Sequence, residues 1–212
     1  MNKLNCVAFG QSRDERIVKL IQSGTAFTRL QIEQIIVPKL KSSKRIAQHS
    51  LTRLCSQERI KQWKRAPQLP SIYYARKPKQ LDHVLLVNEV YCALLSQKKP
   101  SHSVSWKWRY SVLGGTVVAD AMAIITSGLD RHVVFVEVER NPSKRFDKPE
   151  QYQKVYDADW VNEEWSVIKG NTAIFPTILI VTDYDLTFKS DLNFVVSSIN
   201  EIKRNVYGLL RG

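Results

Sequence analysis

Cysteine is scarce in this 212-residue chain: Cys6, Cys55 and Cys92 are scattered, with neither paired nor metal-ligand spacing. An odd, dispersed set reads as free thiols in a reducing compartment more readily than as a disulfide framework, so a cytoplasmic location is expected. Long hydrophobic runs are missing too. No stretch approaches the roughly 18 apolar residues of a membrane-spanning helix, so no membrane partner is expected. The first ten residues carry one lysine and too short an apolar run for a signal peptide. The four histidines (His49, His83, His102 and His132) lack metal-ligand spacing, and no Ser/His/Asp or Cys/His nucleophile set is discernible. Gly114-Gly115 stands alone, without the rest of a phosphate-binding loop. Tyrosines are plentiful, but the histidine cluster that accompanies a DNA-cutting tyrosine is absent.

Charge is abundant, and its distribution is lopsided. Residues 1–79 hold 17 Lys and Arg against four acids (Asp14, Glu15, Glu33 and Glu58), whereas residues 80–212 hold 15 basic and 16 acidic groups. The whole positive excess belongs to the first third. Such asymmetry points to a polyanion-binding module joined to a near-neutral partner domain, because a basic face kept for solubility would be spread along the chain.

Three helical patterns follow one another in that basic third. Asp14 is suited to cap the first, whose apolar positions Ile17, Val18, Leu20 and Ile21 precede the stop at Ser23-Gly24. Thr28 caps the second, which buries Leu30, Ile32, Ile35 and Ile36 and ends near Pro38. Ser42 or Ser43 opens the third, with Ile46, Ala47, Leu51 and Leu54 inward at helical spacing. Away from that stripe lie Lys44, Arg45, Gln48, His49, Thr52 and Arg53, side chains suited to phosphates and base edges. Arg59–Arg65 alternates apolar with basic, a Pro-bearing turn follows at 66–70, and residues 71–76 return as a second strand. Three helices and a basic hairpin in this order make a winged helix-turn-helix over residues 10–79. Lys61, Lys64, Arg65 and Arg76 are then placed to touch flanking DNA backbone, and double-stranded DNA is the expected partner.

Residues 80–100 read as a linking helix and loop. The helix over 80–97 is apolar on more than one face, which suits packing between halves or against a second copy in a homodimer. Residues 101–212 read as an α/β domain: strands at 105–113, 116–125 and 132–139, a helix at 148–157, a central strand at 177–182 and a closing helix at 192–209.

Two carboxylates interrupt otherwise apolar strands, Asp120 in Val117-Val-Ala-Asp-Ala-Met and Glu137 in Phe135-Val-Glu-Val-Glu. An ionised group there is costly unless paired or bound to a cation. Neighbouring strands bring the two acids together, and Glu139 shares the face of Glu137 by strand alternation. Hard oxygen donors so gathered suit Mg²⁺ or Mn²⁺ and metal-assisted phosphodiester hydrolysis. The other reading pairs Asp120 and Glu137 with Arg140, Lys144 or Arg145.

Asp120, then Glu137-Val-Glu139 on the next strand, then a helix, resembles the PD-(D/E)xK nuclease core. Lys148-Pro-Glu-Gln-Tyr152 resembles the Gln-x-x-x-Tyr element of its RecB-like branch, with Lys148 in place of Gln. Over about residues 10–185 the chain is similar to the replication-relaxation family of plasmids and mobile elements. The likeness rests on the winged helix, Leu81-Asp-His-Val-Leu-Leu-Val-Asn-Glu-Val90, Val118-Ala-Asp120 and Phe135-Val-Glu-Val-Glu-Arg140 with Lys148 and Tyr152. It implies an accessory DNA-binding role in replication, relaxation or mobilisation, alongside relaxase or replication proteins. It leaves catalysis open, because the nuclease pattern wants lysine where this chain has Glu139. Either Lys148 reaches in from the helix to complete a set of Asp120, Glu137, Glu139 and Lys148, or the fold is vestigial and serves a regulator or assembly module.

Overall fold

The computed structural model describes residues 3–38, 41–142, 146–169 and 172–210. It is mixed α and β and divides into two compact units, residues 1–92 and 93–212. The boundary falls inside a helix, Leu81–Gln97, where the sequence suggests a separate link.

In the first unit, α1 (Lys3–Gly24), β1 (Ala26–Thr28), α2 (Arg29–Ile36) and α3 (Ser43–Ser56) precede the hairpin of β2 (Lys61–Trp63) and β3 (Ile72–Tyr74). The three strands form an antiparallel sheet in the order β1-β3-β2. Thr28 caps α2 through a reciprocal box, its hydroxyl accepting from Gln31 N at 3.2 Å while Gln31 Oε1 accepts from Thr28 N at 2.9 Å. Gln31 is itself buried and donates to the Leu85 carbonyl and to Glu89 on α4 (Leu81–Gln97). Buried Asn88 on the same helix donates to the carbonyls of Gly24 and Ala26, satisfying backbone groups at the α1–β1 corner. Asp14 is not a cap. It lies midway along α1, buried, and accepts from Arg53 Nε at 2.7 Å.

The second unit is built on a five-stranded sheet in the order β10-β9-β6-β5-β4, from β4 (His102–Val112), β5 (Val117–Ser127), β6 (Asp130–Val138), β9 (Thr177–Val181) and β10 (Phe194–Ser197). The first three form an antiparallel meander, and β9 and β10 then add in parallel. Gly114 and Gly115, both at positive φ, turn β4 into β5, which is their use here. Helix α5 (Lys148–Tyr156) and a small hairpin, β7 (Val167–Lys169) with β8 (Thr172–Ile174), lie between β6 and β9, and α6 (Ile199–Leu209) follows β10. The residues expected to begin the closing helix form β10 instead. Phe135 centres the core on one face, stacked on Tyr152 at 5.6 Å and meeting Trp165 edge-on at 5.2 Å.

Candidate functional sites

Each unit carries one candidate site. On α3 the apolar spacing buries Ala47, Leu51 and Leu54 and turns Lys44, Arg45, Gln48, His49 and Thr52 outward. The outward residues, with Lys41 and Ser42, line an open groove of about 700 Å³. Its back is braced by α1 and α2: Arg13 Nε donates to Ser50 Oγ at 2.8 Å, and Ser43 Oγ donates to Glu33 Oε1 at 2.7 Å. Arg53, expected among the outward cations, is committed to the buried Asp14 and ties α3 to α1. Lys61, Lys64 and Arg76 are exposed on and beside the hairpin. Arg65 is held, ion-paired to Asp82 and lying 5.4 Å from the Trp63 ring centroid, while Lys77 sits over the same ring at 3.8 Å. The tryptophan thus anchors two cations of the hairpin base.

In the second unit, the β5–β6 register that pairs Ala121 with Val136 brings Asp120 and Glu137 side by side at its next step. Asp120 Oδ2 accepts from Val138 N at 2.8 Å. Glu137 is 3% exposed and is met from α5 by two side chains one turn apart. Lys148 Nζ lies 2.9 Å from Glu137 Oε1 and donates to the Val118 carbonyl at 3.1 Å, and Tyr152 OH donates to the same Glu137 oxygen at 2.8 Å. Pro149 fixes the start of the helix, and side chains at i and i+4 share a face, so both reach the sheet together. Burial pushes the Glu137 carboxyl up to about 7; Lys148 opposes the rise and neighbouring Asp120 adds to it. Tyr152 is driven well above its ordinary value by burial and by Glu137.

Glu139 does not join this group as expected. It lies one residue beyond β6, and its Oε1 accepts from the backbone N–H groups of Arg140 and Asn141, closing the turn that leaves the strand. Among the described residues no three His, Cys, Asp or Glu side chains gather into a metal shell. The cation that meets Glu137 is Lys148 and not one of the three suggested: Arg140 lies in the turn after β6, its N–H donating to Glu139, and Lys144 and Arg145 lie outside the described residues. Tyr184, which nothing in the sequence marks, lies beside Glu139, and burial followed by that carboxylate raises its hydroxyl.

Leu81, Val87, Val90, Cys92, Ala93 and Leu94 of α4 are already buried within the single chain, which leaves this helix less apolar surface for a second copy. No helix among the described residues is long and apolar enough to cross a membrane. Comparison of the chain with protein-family models, with curated proteins and with solved structures gives no match.

Proposed function

We propose that the protein binds duplex DNA through a winged helix formed by the first unit, with α3 in the major groove and the β2–β3 hairpin on the flanking backbone. The observation that carries this is the groove on α3, lined by Lys, Arg, Gln, His, Ser and Thr and set in the part of the chain that holds all the excess positive charge. Lys44, Arg45, Gln48 and His49 are the base-reading candidates; Lys61, Lys64 and Arg76 hold phosphate. The family resemblance adds the setting, an accessory role in replication, relaxation or mobilisation of a plasmid or mobile element. Fluorescence anisotropy with a labelled duplex tests it. Affinity should fall steeply with salt, and Lys44→Ala/Arg45→Ala should weaken binding at least tenfold and flatten the salt slope by about two phosphates' worth. Binding that ignores both salt and this double variant would refute it.

One observation favours a second activity in the other unit, a metal-dependent DNA nuclease. Lys148 meets Glu137 next to Asp120, on a sheet whose antiparallel meander is followed by parallel strands, an arrangement compatible with the PD-(D/E)xK resemblance. Asp120 and Glu137 offer hard oxygens that fit Mg²⁺ or Mn²⁺ and would hold it. Such an ion supplies an activated water and stabilises developing charge on a phosphodiester. The chain's own part is to keep Glu137 in place through Tyr152 and to bring a cation, Lys148, from the helix instead of the strand. Supercoiled plasmid with Mn²⁺ is the assay: nicking should disappear in Asp120→Ala and in Glu137→Ala. Nicking that survives both changes would count against the assignment.

A further inference from the structure

The edge strand β4 contains a reversal that regular sheet geometry does not need. Arg109 sits in the middle of the strand at φ +50°, the left-handed region that L side chains other than Asn and Asp seldom adopt. The β4–β5 ladder pairs Trp108 with Ala121 and Tyr110 with Ala119, so the step between them sets Arg109 across from Asp120. Strand alternation would send Lys107 and Tyr110, three residues apart, to opposite faces. Both instead reach Glu164 Oε1, at 2.5 and 2.8 Å, and Tyr110 also stacks on Phe135. The turn-over at Arg109 brings them to one side.

A glycine would take this backbone without strain, yet the position carries the largest cationic side chain. Lys107 is committed to Glu164 and Lys148 to Glu137, whereas exposed Arg109 makes no ion pair or hydrogen bond among the described residues. Backbone strain of this kind clusters at binding and catalytic positions, and of the four non-glycine residues at positive φ among the described residues, Arg109 alone is a cation within a strand. A guanidinium offers the fork of donors that grips two phosphate oxygens at once. We infer that Arg109 is a phosphate-binding residue, holding the backbone of duplex DNA beside Asp120. The inference rests on the DNA-binding reading and needs no metal.

Full-length Arg109→Ala, Arg109→Lys and Arg109→Gly proteins, compared by duplex anisotropy across salt and by thermal unfolding, test it. Arg109→Ala should weaken binding about fivefold to tenfold and lower the salt slope by about 0.9, the loss of one phosphate contact. Arg109→Lys should keep the slope and lose part of the affinity. Arg109→Gly should lose as much affinity as Ala while its Tm rises by about 2–4 °C, because the strain is relieved. A structural role would not produce that divergence of binding from stability. Wild-type affinity and slope in Arg109→Ala would overturn the inference, as would full DNA binding in Arg109→Gly. If Lys44→Ala/Arg45→Ala loses binding while Arg109→Ala does not, only this inference falls. If the wild-type chain binds no duplex, the DNA-binding reading falls with it.

Discussion

The carboxyl of Glu137 ties the stability of the second unit to pH in a direction opposite to that of most carboxylates. An ordinary salt-bridged acid has a depressed pKa and contributes stability that is lost as pH falls. Glu137 is raised, from 4.5 to about 7, so the folded protein holds a proton that the unfolded chain has already released. Its contribution is therefore fully present below about pH 4.5 and is lost as pH rises through 7. At 1.36 kcal/mol per pKa unit the rise is worth on the order of 3 kcal/mol, most of which linkage places between pH 5 and pH 8. Glu137→Gln keeps the shape and removes the titration. Urea unfolding of both proteins, at half-unit steps from pH 5 to 8, isolates the effect, because every other group cancels in the difference. Tryptophan fluorescence is a suitable probe, since Trp106, Trp108, Trp160 and Trp165 all lie in the second unit. Wild-type stability should drop relative to Glu137→Gln by roughly 2–3 kcal/mol over that range. A flat difference, or one that grows in favour of wild type with pH, would show that Lys148 holds Glu137 ionised and that the burial argument is wrong.

Other perturbations have distinct expected outcomes. Arg53→Ala leaves the carboxylate of Asp14 buried and unpaired, and should cost about 3 kcal/mol in chemical denaturation while removing no DNA contact. Asp82→Ala releases Arg65 from its ion pair and should tighten duplex binding about twofold to threefold at low salt, an effect that 0.5 M salt should erase. Asn88→Ala strands two backbone carbonyls at the α1–β1 corner and should lower stability by about 1–3 kcal/mol, read as a shift in the urea midpoint at constant slope. Trp165→Ala empties the middle of the aromatic core and should cost about 3–5 kcal/mol.

What the sequence disclosed and what it withheld divide by range. Thr28 was legible as a cap because a capping box is a pattern three residues long. Asp120 and Glu137 were legible because a charge inside an apolar strand demands a partner whatever the fold. Asp14 has the same local chemistry as Thr28, yet its role is set by Arg53, 39 residues away, and no local pattern carries that information. Strand β1 is three residues long and exists by pairing with β3, too short for any periodicity to register. Phe194-Val-Val has no period to tell a buried strand from the start of a helix; parallel pairing with β9 decides it. Strand alternation puts Glu139 beside Glu137, but β6 ends one residue before it and its carboxylate accepts from the backbone of Arg140 and Asn141 instead. Arg109 and Tyr184 depend on a backbone reversal and on a loop, neither of which composition encodes.

Lys148 offers a final discrimination, because its charge acts on Glu137 and on any cation there in opposite ways. It favours the ionised carboxylate, which helps metal binding, and it repels a divalent ion, which hinders it. Lys148→Met removes both effects. At pH 7 the loss of the lysine raises the Glu137 pKa further, and the proton must be displaced before an ion can bind. At pH 9 that penalty would have largely gone, while relief of the repulsion between the lysine and a bound ion would remain. The Mn²⁺ affinity of Lys148→Met, measured by calorimetry, should therefore be weaker than wild type at pH 7 and tighter at pH 9. Plasmid nicking by the same variant should fall at both values if the lysine offsets charge in the transition state. Affinity lost equally at pH 7 and pH 9 would mean instead that Lys148 serves to position Glu137 and that its charge is incidental.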